Sequence, residues 1–306
     1  MNQIRYIVVI ILVALTTNIC VSASEIKTIA FAQDTMANDF RKAQVLEVKY
    51  ETQKHPELKF IYSDANGQTS LLISQIKQFI NMKVDLIIVG TNNEEAVVPV
   101  ISEAISKGVK VIVLDRGIKG NNYTTFINSD NKKIGAIAAS YLAKKLKQKG
   151  TILIFEGLLA ADVTKLRTKG FMQEISKYKD IKIIKRTGNY LRRDAIFETE
   201  KLINESIHFD AIFSHSDSML SGVRSALYRY HIDPSSIITI GCDYTSEAKR
   251  AIEKGVQTAS ILFPLGAKES VDVALKILSK KKVAKHIELP VKLITTENTK
   301  NTRAIF

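Results

Sequence analysis

The chain has 306 residues, which is too long for one small domain and suits two units of ~100–150 residues each. Hydrophobic residues make up 45% and charged residues 25%, an ordinary globular balance with material for two cores and no low-complexity segment. The net charge of +13 brings nucleic acid and acidic surfaces into view, but the lysines are spread along the chain and read as solvated helix faces. Only two cysteines are present, Cys20 and Cys242, so no disulfide framework holds the fold together.

The first residues stand apart. Met1–Tyr6 carry one positive charge at Arg5, Ile7–Leu15 are uniformly apolar, and small residues stand at Ser22 and Ala23. This is the pattern of a secretory leader over residues 1–23, cleaved after Ala23. The apolar run is shorter than the ~20 residues a spanning helix needs. Export makes nucleic acid an unsuitable partner and points to a periplasmic location.

Beyond the leader, short apolar runs alternate with amphipathic ones. Strands are expected at Ile26–Gln33, Leu58–Ser63, Val84–Gly90 and Val109–Leu114. Helices are expected at Asp39–Thr52 (apolar at Phe40, Ala43, Leu46 and Tyr50), Gln68–Met82 and Val97–Lys107, the last with Pro99 in its first turn. A strand running into the polar turn of Thr125–Asn131 marks a break. The pattern then repeats: helix Lys132–Lys149, strand Thr151–Phe155, helix Thr164–Tyr178, strand Ile181–Thr187, helix Arg192–Ser206, strand Ala211–Ser214, helix Asp217–Tyr230, strand Ile237–Gly241, helix Ser246–Lys254, strand Gln257–Leu262 and helix Leu265–Lys280. Lys144, Lys145, Lys147 and Lys149 read as one solvated helix end, where cations suit the dipole. Asp130 and Asp217 stand where N-caps belong. Strands apolar on both faces and alternating with helices define an α/β protein with two doubly wound parallel-sheet lobes.

In such sheets ligands bind beyond the carboxyl ends of the strands. That rule selects Gln33, Asp34, Phe40 and Arg41 after the first strand, Asp115 and Arg116 after Leu114, Asp130 and Asn131 at the break, Ser216 and Asp217 after Ser214, and Asp243 after Gly241. Carboxylates accept from hydroxyls, guanidinium forks donate to them, and an aromatic such as Phe40 offers a face to C–H bonds, so the set suits a polyhydroxylated ligand. There is no nucleophile elbow, phosphate loop or dinucleotide fingerprint. The histidines lack zinc spacing and the aspartates lack calcium-loop spacing. His215, at a strand end, reads either as a ligand contact or as a neutral packed residue. No enzyme activity, cofactor or metal is expected.

Several segments resemble the periplasmic sugar-binding proteins of the ribose- and galactofuranose-binding type. They are Phe31-Ala-Gln with Asn38-Asp-Phe-Arg-Lys-Ala, Val84-Asp-Leu-Ile-Ile-Val, Pro99-Val-Ile-Ser-Glu-Ala, Gly108-Val-Lys-Val-Ile-Val-Leu-Asp-Arg, Asn128-Ser-Asp-Asn, Arg167-Thr-Lys-Gly-Phe, His215-Ser-Asp-Ser-Met and Ile240-Gly-Cys-Asp. The resemblance covers the whole region after the leader. It implies the type I periplasmic binding protein fold, with a three-segment hinge near Ile127–Asp130, Leu262–Pro264 and Leu289–Lys292. The N-terminal lobe would be 24–127 plus 264–289 and the C-terminal lobe 128–263 plus 290–306. It implies ligand contacts from Phe40, Arg41, Asp115, Arg116, Arg167, Tyr190, Ser216 and Asp243.

The chain departs from the family pattern at three places. Ser216 stands where many members have asparagine, Ile261-Leu262 is apolar where others are polar, and Ala37 is short. The implied partners are a sugar and either an inner-membrane ABC permease or a chemoreceptor or sensor kinase, with the protein a monomer. A sugar-responsive repressor of the same fold would need ~60 more N-terminal residues forming a helix-turn-helix, where this chain has the leader pattern.

Overall fold

Alternate residues of the first strand serve two different cores. In β1 (Lys27–Gln33), Ile29 and Phe31 pack into one buried cluster while Ala30 and Ala32 pack into another. A strand with helices on both faces requires this, because successive side chains point to opposite sides. The computed structural model describes residues 25–306, so the expected leader, 1–23, lies outside the described residues.

The chain continues through α1 (Asp39–Thr52), β2 (Leu58–Asp64), α2 (Thr69–Asn81), β3 (Leu86–Gly90), α3 (Val98–Ser106), β4 (Lys110–Leu114) and β5 (Thr125–Ser129). There follow α4 (Asn131–Lys145), β6 (Lys149–Glu156), α5 (Asp162–Ile175), β7 (Asp180–Thr187), α6 (Arg192–Asn204), β8 (Ala211–Ser214) and α7 (Asp217–Arg229). The last elements are a 3-10 turn (Pro234–Ser236), β9 (Ile238–Asp243), α8 (Ser246–Glu253), β10 (Ala259–Leu262), α9 (Ala267–Leu278), β11 (His286–Leu289) and β12 (Lys292–Ile294).

Two sheets result, ordered β2-β1-β3-β4-β5-β11 and β7-β6-β8-β9-β10-β12. All pairings are parallel except β10 with β12. Leaving aside the edge strands β11 and β12, each lobe repeats one doubly wound order, with a switch point beside its first strand, β1 or β6. The chain passes between the lobes three times: from β5 to α4 at Asp130, from β10 to α9 over Phe263–Gly266, and from β11 to β12 at Pro290 and Val291.

Several expectations are corrected. The helix after the break ends at Lys145, because Lys147 and Gln148 take φ of 52° and 68°; Lys149 is not a helix end but the first residue of β6. Asp217 is not an N-cap. Ser216 caps α7 by accepting from the Met219 amide, and Asp217 turns inward. Asp130 does cap α4, accepting from the Lys133 amide at 3.0 Å. In α1 the buried stripe is Phe40, Arg41, Gln44, Val45, Val48 and Thr52, while Leu46 and Tyr50 are exposed. The apolar spacing misled there because the inward face carries the polar pair Arg41 and Gln44. Strands β11 and β12, only four and three residues long, add to the sheet edges without a pattern of their own.

Helices α4 and α5 approach too closely for side chains at the contact. A Cβ on Gly135 would lie 2.1 Å from the Arg167 carbonyl oxygen, and one on Gly170 would lie 2.0 Å from the Lys132 carbonyl oxygen. This contact sets α5, and with it Arg167, against the start of α4.

Candidate functional site

The carboxyl ends of both sheets face one another across the cleft. There Asn38, Phe40 and Arg41 from the start of α1, and Asp115 and Arg116 after β4, meet residues of the other lobe: Val163 and Arg167 of α5, Tyr190 after β7, Ser216 after β8 and Asp243 at the end of β9. Phe263, on the crossing from β10 to α9, closes one side. Together they enclose a tight cavity of about 20 Å³, far below the ~300–1,000 Å³ usual for small-molecule sites, so the lobes are drawn closely together over it. All eight residues selected from the sequence line it. Asn38, Val163 and Phe263 were not selected. Asn38 was detectable as the cap residue ahead of α1; Phe263 carries no such local signal.

The charged side chains hold one another in place. Asn38 accepts from the Arg41 amide at 3.1 Å and donates through Nδ2 to the Tyr190 carbonyl at 2.8 Å. Arg41 is 1% exposed; its Nη1 donates to Gln44 Oε1 at 3.0 Å, its Nε lies 3.6 Å from Asp34 Oδ1, and its Nη2 lies 3.0 Å from Asp115 Oδ2. Arg116 donates through Nη1 to Asp34 Oδ2 at 2.7 Å, and its guanidinium sits over the Tyr190 ring. Arg167 donates through Nε to Asn131 Oδ1 at 2.8 Å and through Nη1 to the His215 carbonyl, with its plane over the Phe263 ring. Asp34 and Asn131, both strand-end residues in the sequence, thus stand behind the lining and brace it.

The network is incomplete. Arg41 Nη2, Asp115 Oδ1 and Arg116 Nε are buried without a hydrogen-bond partner among the described residues. The Arg41–Asp115 pair is close enough for charge attraction but not aligned for a hydrogen bond. Buried polar groups are nearly always paired, and an unpaired one costs ~1–3 kcal/mol. Three of the buried side-chain atoms without a partner among the described residues thus belong to residues that line this cavity.

Burial raises the Asp243 carboxyl well above the ordinary range, with the Arg167 guanidinium opposing the rise. Burial, aided by Arg167 and Lys185, pushes His215 well below its usual value, so the ring is neutral at pH 7. His215 lies beneath the site and presents its carbonyl to Arg167; it is not among the lining residues. Cys242 is buried in β9, where burial pushes its thiol up and leaves it a small packed residue. Among the described residues no group of three or more His, Cys, Asp or Glu is placed to hold a metal ion.

Contacts across the cleft hold the two lobes together. Besides Asn38 with Tyr190, Asp39 Oδ2 accepts from Arg192 Nη2 at 3.0 Å and from Ser218 Oγ at 2.6 Å. Asp162 Oδ2 accepts from the Gly117 amide at 2.8 Å, and Lys165 Nζ donates to Glu94 Oε1 at 3.1 Å.

Two doubly wound lobes, three crossings and a polar cavity between facing strand ends define a hinged solute-binding protein. The chain belongs to the periplasmic binding protein domain family, whose model matches residues 29–282. It is 28% identical over 270 residues to the ribose import binding protein of Bacillus subtilis, covering 88% of this chain and 87% of that one. It is 28% identical over 240 residues to the D-xylose-binding periplasmic protein of Haemophilus influenzae, covering 76% and 71%. Among solved structures it superposes on the fructose-binding periplasmic domain of a hybrid two-component system with TM-score 0.84 and 26% identity, covering 90% of this chain and 92% of that one. A myo-inositol-bound solute-binding protein of Bacillus halodurans matches with TM-score 0.85 and 25% identity, covering 92% and 98%.

Proposed function

We propose that this protein, exported by its leader, captures a monosaccharide between its lobes and delivers it to an ABC importer without acting on it chemically. The carrying observation is the set of unpaired buried atoms at the cavity, Arg41 Nη2, Asp115 Oδ1 and Arg116 Nε. One acceptor and two donors match the dual donor–acceptor character of ring hydroxyls. Phe40, Tyr190 and Phe263 supply apolar surface for the C–H bonds between them. Arg41, Arg116, Arg167, Asp115, Ser216 and Asp243 are the polar contacts in this reading, and closure of the hinge completes the site. The relatives whose names specify ribose and xylose support the solute class.

A second reading is favoured by one comparison: the fructose-binding domain belongs to a sensor, so the same closed form would present its sugar to a receptor or kinase. Genomic context separates the two, a permease and ATPase beside the gene for transport, a kinase for sensing.

A melting-temperature screen of the protein without its leader against pentoses, hexoses, furanoses and sugar acids tests the solute class. A cognate sugar at 100 times its dissociation constant adds ~2.7 kcal/mol of stability. If no member of the panel raises the melting point, the monosaccharide reading fails.

A further inference from the structure

Two segments of the C-terminal lobe meet behind the cavity. Asp243 ends β9 and lines the cavity, and both it and Tyr244 take positive φ, 109° and 64°. A chain that turns this way leaves the hydrogen-bond ladder of its sheet, so the Tyr244 amide needs another acceptor. Asp217, at the start of α7, supplies it: its Oδ2 accepts from the Tyr244 amide at 2.7 Å. Ser260 Oγ lies 3.1 Å from the same nitrogen and donates to Asp217 Oδ2 at 2.6 Å. Gln257 Nε2 donates to Asp217 Oδ1 at 2.8 Å.

The surroundings are built to admit this carboxyl. A Cβ on Gly241 would lie 1.9 Å from Asp217 Oδ1, so glycine at that place in β9 leaves it room. Burying a carboxyl is costly, and the three donors that Asp217 meets are neutral groups. Helix α7 does not require it, since Ser216 is already the cap. What the carboxyl contributes is the grip on the Tyr244 amide. The other end of Tyr244 is buried, with its hydroxyl 2.9 Å from Thr299 Oγ1. Strained positive-φ backbone persists only where neighbours enforce it, and here the neighbour at the turn is Asp217.

We propose that Asp217 is a positioning residue for solute capture: by holding the Tyr244 amide it fixes the turn that aims the Asp243 carboxyl into the cleft. This rests on the monosaccharide reading, in which Asp243 contacts the sugar, and deepens it. Asp217 itself is not among the lining residues and acts through Asp243.

The test has two arms on the leaderless protein. Amide hydrogen exchange, read by NMR without sugar, follows Tyr244 against Ile240 of the same strand. In Asp217→Ala the protection of Tyr244 falls by about ten-fold more than that of Ile240. In Asp217→Asn, whose carboxamide oxygen still accepts from the amide, it stays within about three-fold of the wild type. Ser260→Ala, which removes only the second acceptor, gives a loss of about three-fold and serves if Asp217→Ala does not fold. The second arm is calorimetric titration with D-ribose, L-arabinose, D-glucose, D-galactose and D-galacturonate, the tightest binder serving as probe. Asp217→Ala weakens that sugar by about ten-fold or more, and Asp217→Asn restores affinity to within about three-fold. In an Asp243→Asn background, Asp217→Ala costs about two-fold or less, because the group it positions is already changed. A merely structural role would weaken binding equally in both backgrounds. Equal losses there, or a Tyr244 amide as protected as Ile240 in Asp217→Ala and Ser260→Ala, overturns the positioning role and leaves the monosaccharide reading standing. If none of the five sugars binds the wild type, the monosaccharide reading fails, and exchange at Tyr244 still decides whether Asp217 holds the turn.

Discussion

Asp115 and Asp243 occupy the same position in the two halves of the molecule. In the orders β2-β1-β3-β4-β5 and β7-β6-β8-β9-β10, β4 and β9 are equivalent, and the two aspartates stand at their carboxyl ends. Both have positive φ, 67° and 109°, and both line the cavity from opposite lobes. A residue turned out of extended geometry at a strand end aims its side chain into the cleft. Aspartate tolerates such a backbone better than most residues, and the strain of ~1–3 kcal/mol persists only where the surroundings enforce it. The two carboxyls differ in setting: Asp115 faces Arg41, whereas Asp243 has no ion pair within 4.0 Å among the described residues.

Asp115→Asn tests the first of these. Asparagine accepts the left-handed backbone, so the fold survives, but the charge opposite Arg41 is lost. Hydrogen bonds to charged groups contribute ~1.5–3 kcal/mol, so affinity for the cognate sugar falls by about ten-fold or more, and because the buried pair with Arg41 is broken the unfolding free energy also falls, by ~1–3 kcal/mol. Titration calorimetry paired with urea unfolding checks both numbers; unchanged affinity removes Asp115 from the site.

Asp217 makes stability depend on pH. It is fully buried behind the cavity, accepting from Ser260 Oγ, Gln257 Nε2 and the Tyr244 amide. Burial raises its carboxyl from 3.8 to about 6 against those bonds. The folded protein thus holds a proton that the unfolded chain has released, and this group's contribution is most favourable below pH 3.8 and is lost as pH rises to about 6. The change is on the order of 3 kcal/mol. Subtracting the pH profile of Asp217→Asn from that of the wild type isolates the slope; a flat difference between pH 4 and 7 contradicts it.

Asp39 ties the lobes at the rim through Arg192 and Ser218. Both charged partners are about half exposed, so the ion pair contributes at most ~1 kcal/mol. In Asp39→Ala the closed form loses this contact and the open form does not. Small-angle scattering shows a larger radius of gyration before sugar is added, and affinity falls by a factor of up to about five. Loss of affinity without any change in radius would place Asp39 in ligand contact instead.

Gly170→Ala drives a methyl group into the backbone of α4 at Lys132. Backbone atoms cannot turn aside as a flexible side chain does, so unfolding free energy drops by ~1–3 kcal/mol or more. Because α5 carries Arg167, affinity falls with it. Thermal melting and titration of the same variant check the pairing; wild-type melting would show that the helices separate freely.

The order of strands and helices was legible because burial on both faces leaves apolar runs that few other arrangements explain, as in Leu86–Val89. The strand-end rule then gathered Phe40, Arg41, Asp115, Arg116, Ser216 and Asp243 from the alternation, and the family resemblance added Arg167 and Tyr190. Short edge strands such as Lys292–Ile294 were not legible, since their pairing is set by the neighbour and not by their own pattern. The interior face of α1 was misread for a related reason: Arg41 and Gln44 are buried by partners distant in the chain, Asp115 and the Leu265 carbonyl.

The sequence by itself determined the class of fold, the repetition of one lobe plan, and most of the charged groups that line the cleft, because periodicity and strand-end position are local properties. Only the tertiary structure decided which of those groups are already paired, that Asp217 faces inward while Ser216 caps, and that Phe263 walls one side of the cavity. Pairing and burial depend on atoms brought together from far along the chain, and no local pattern records them.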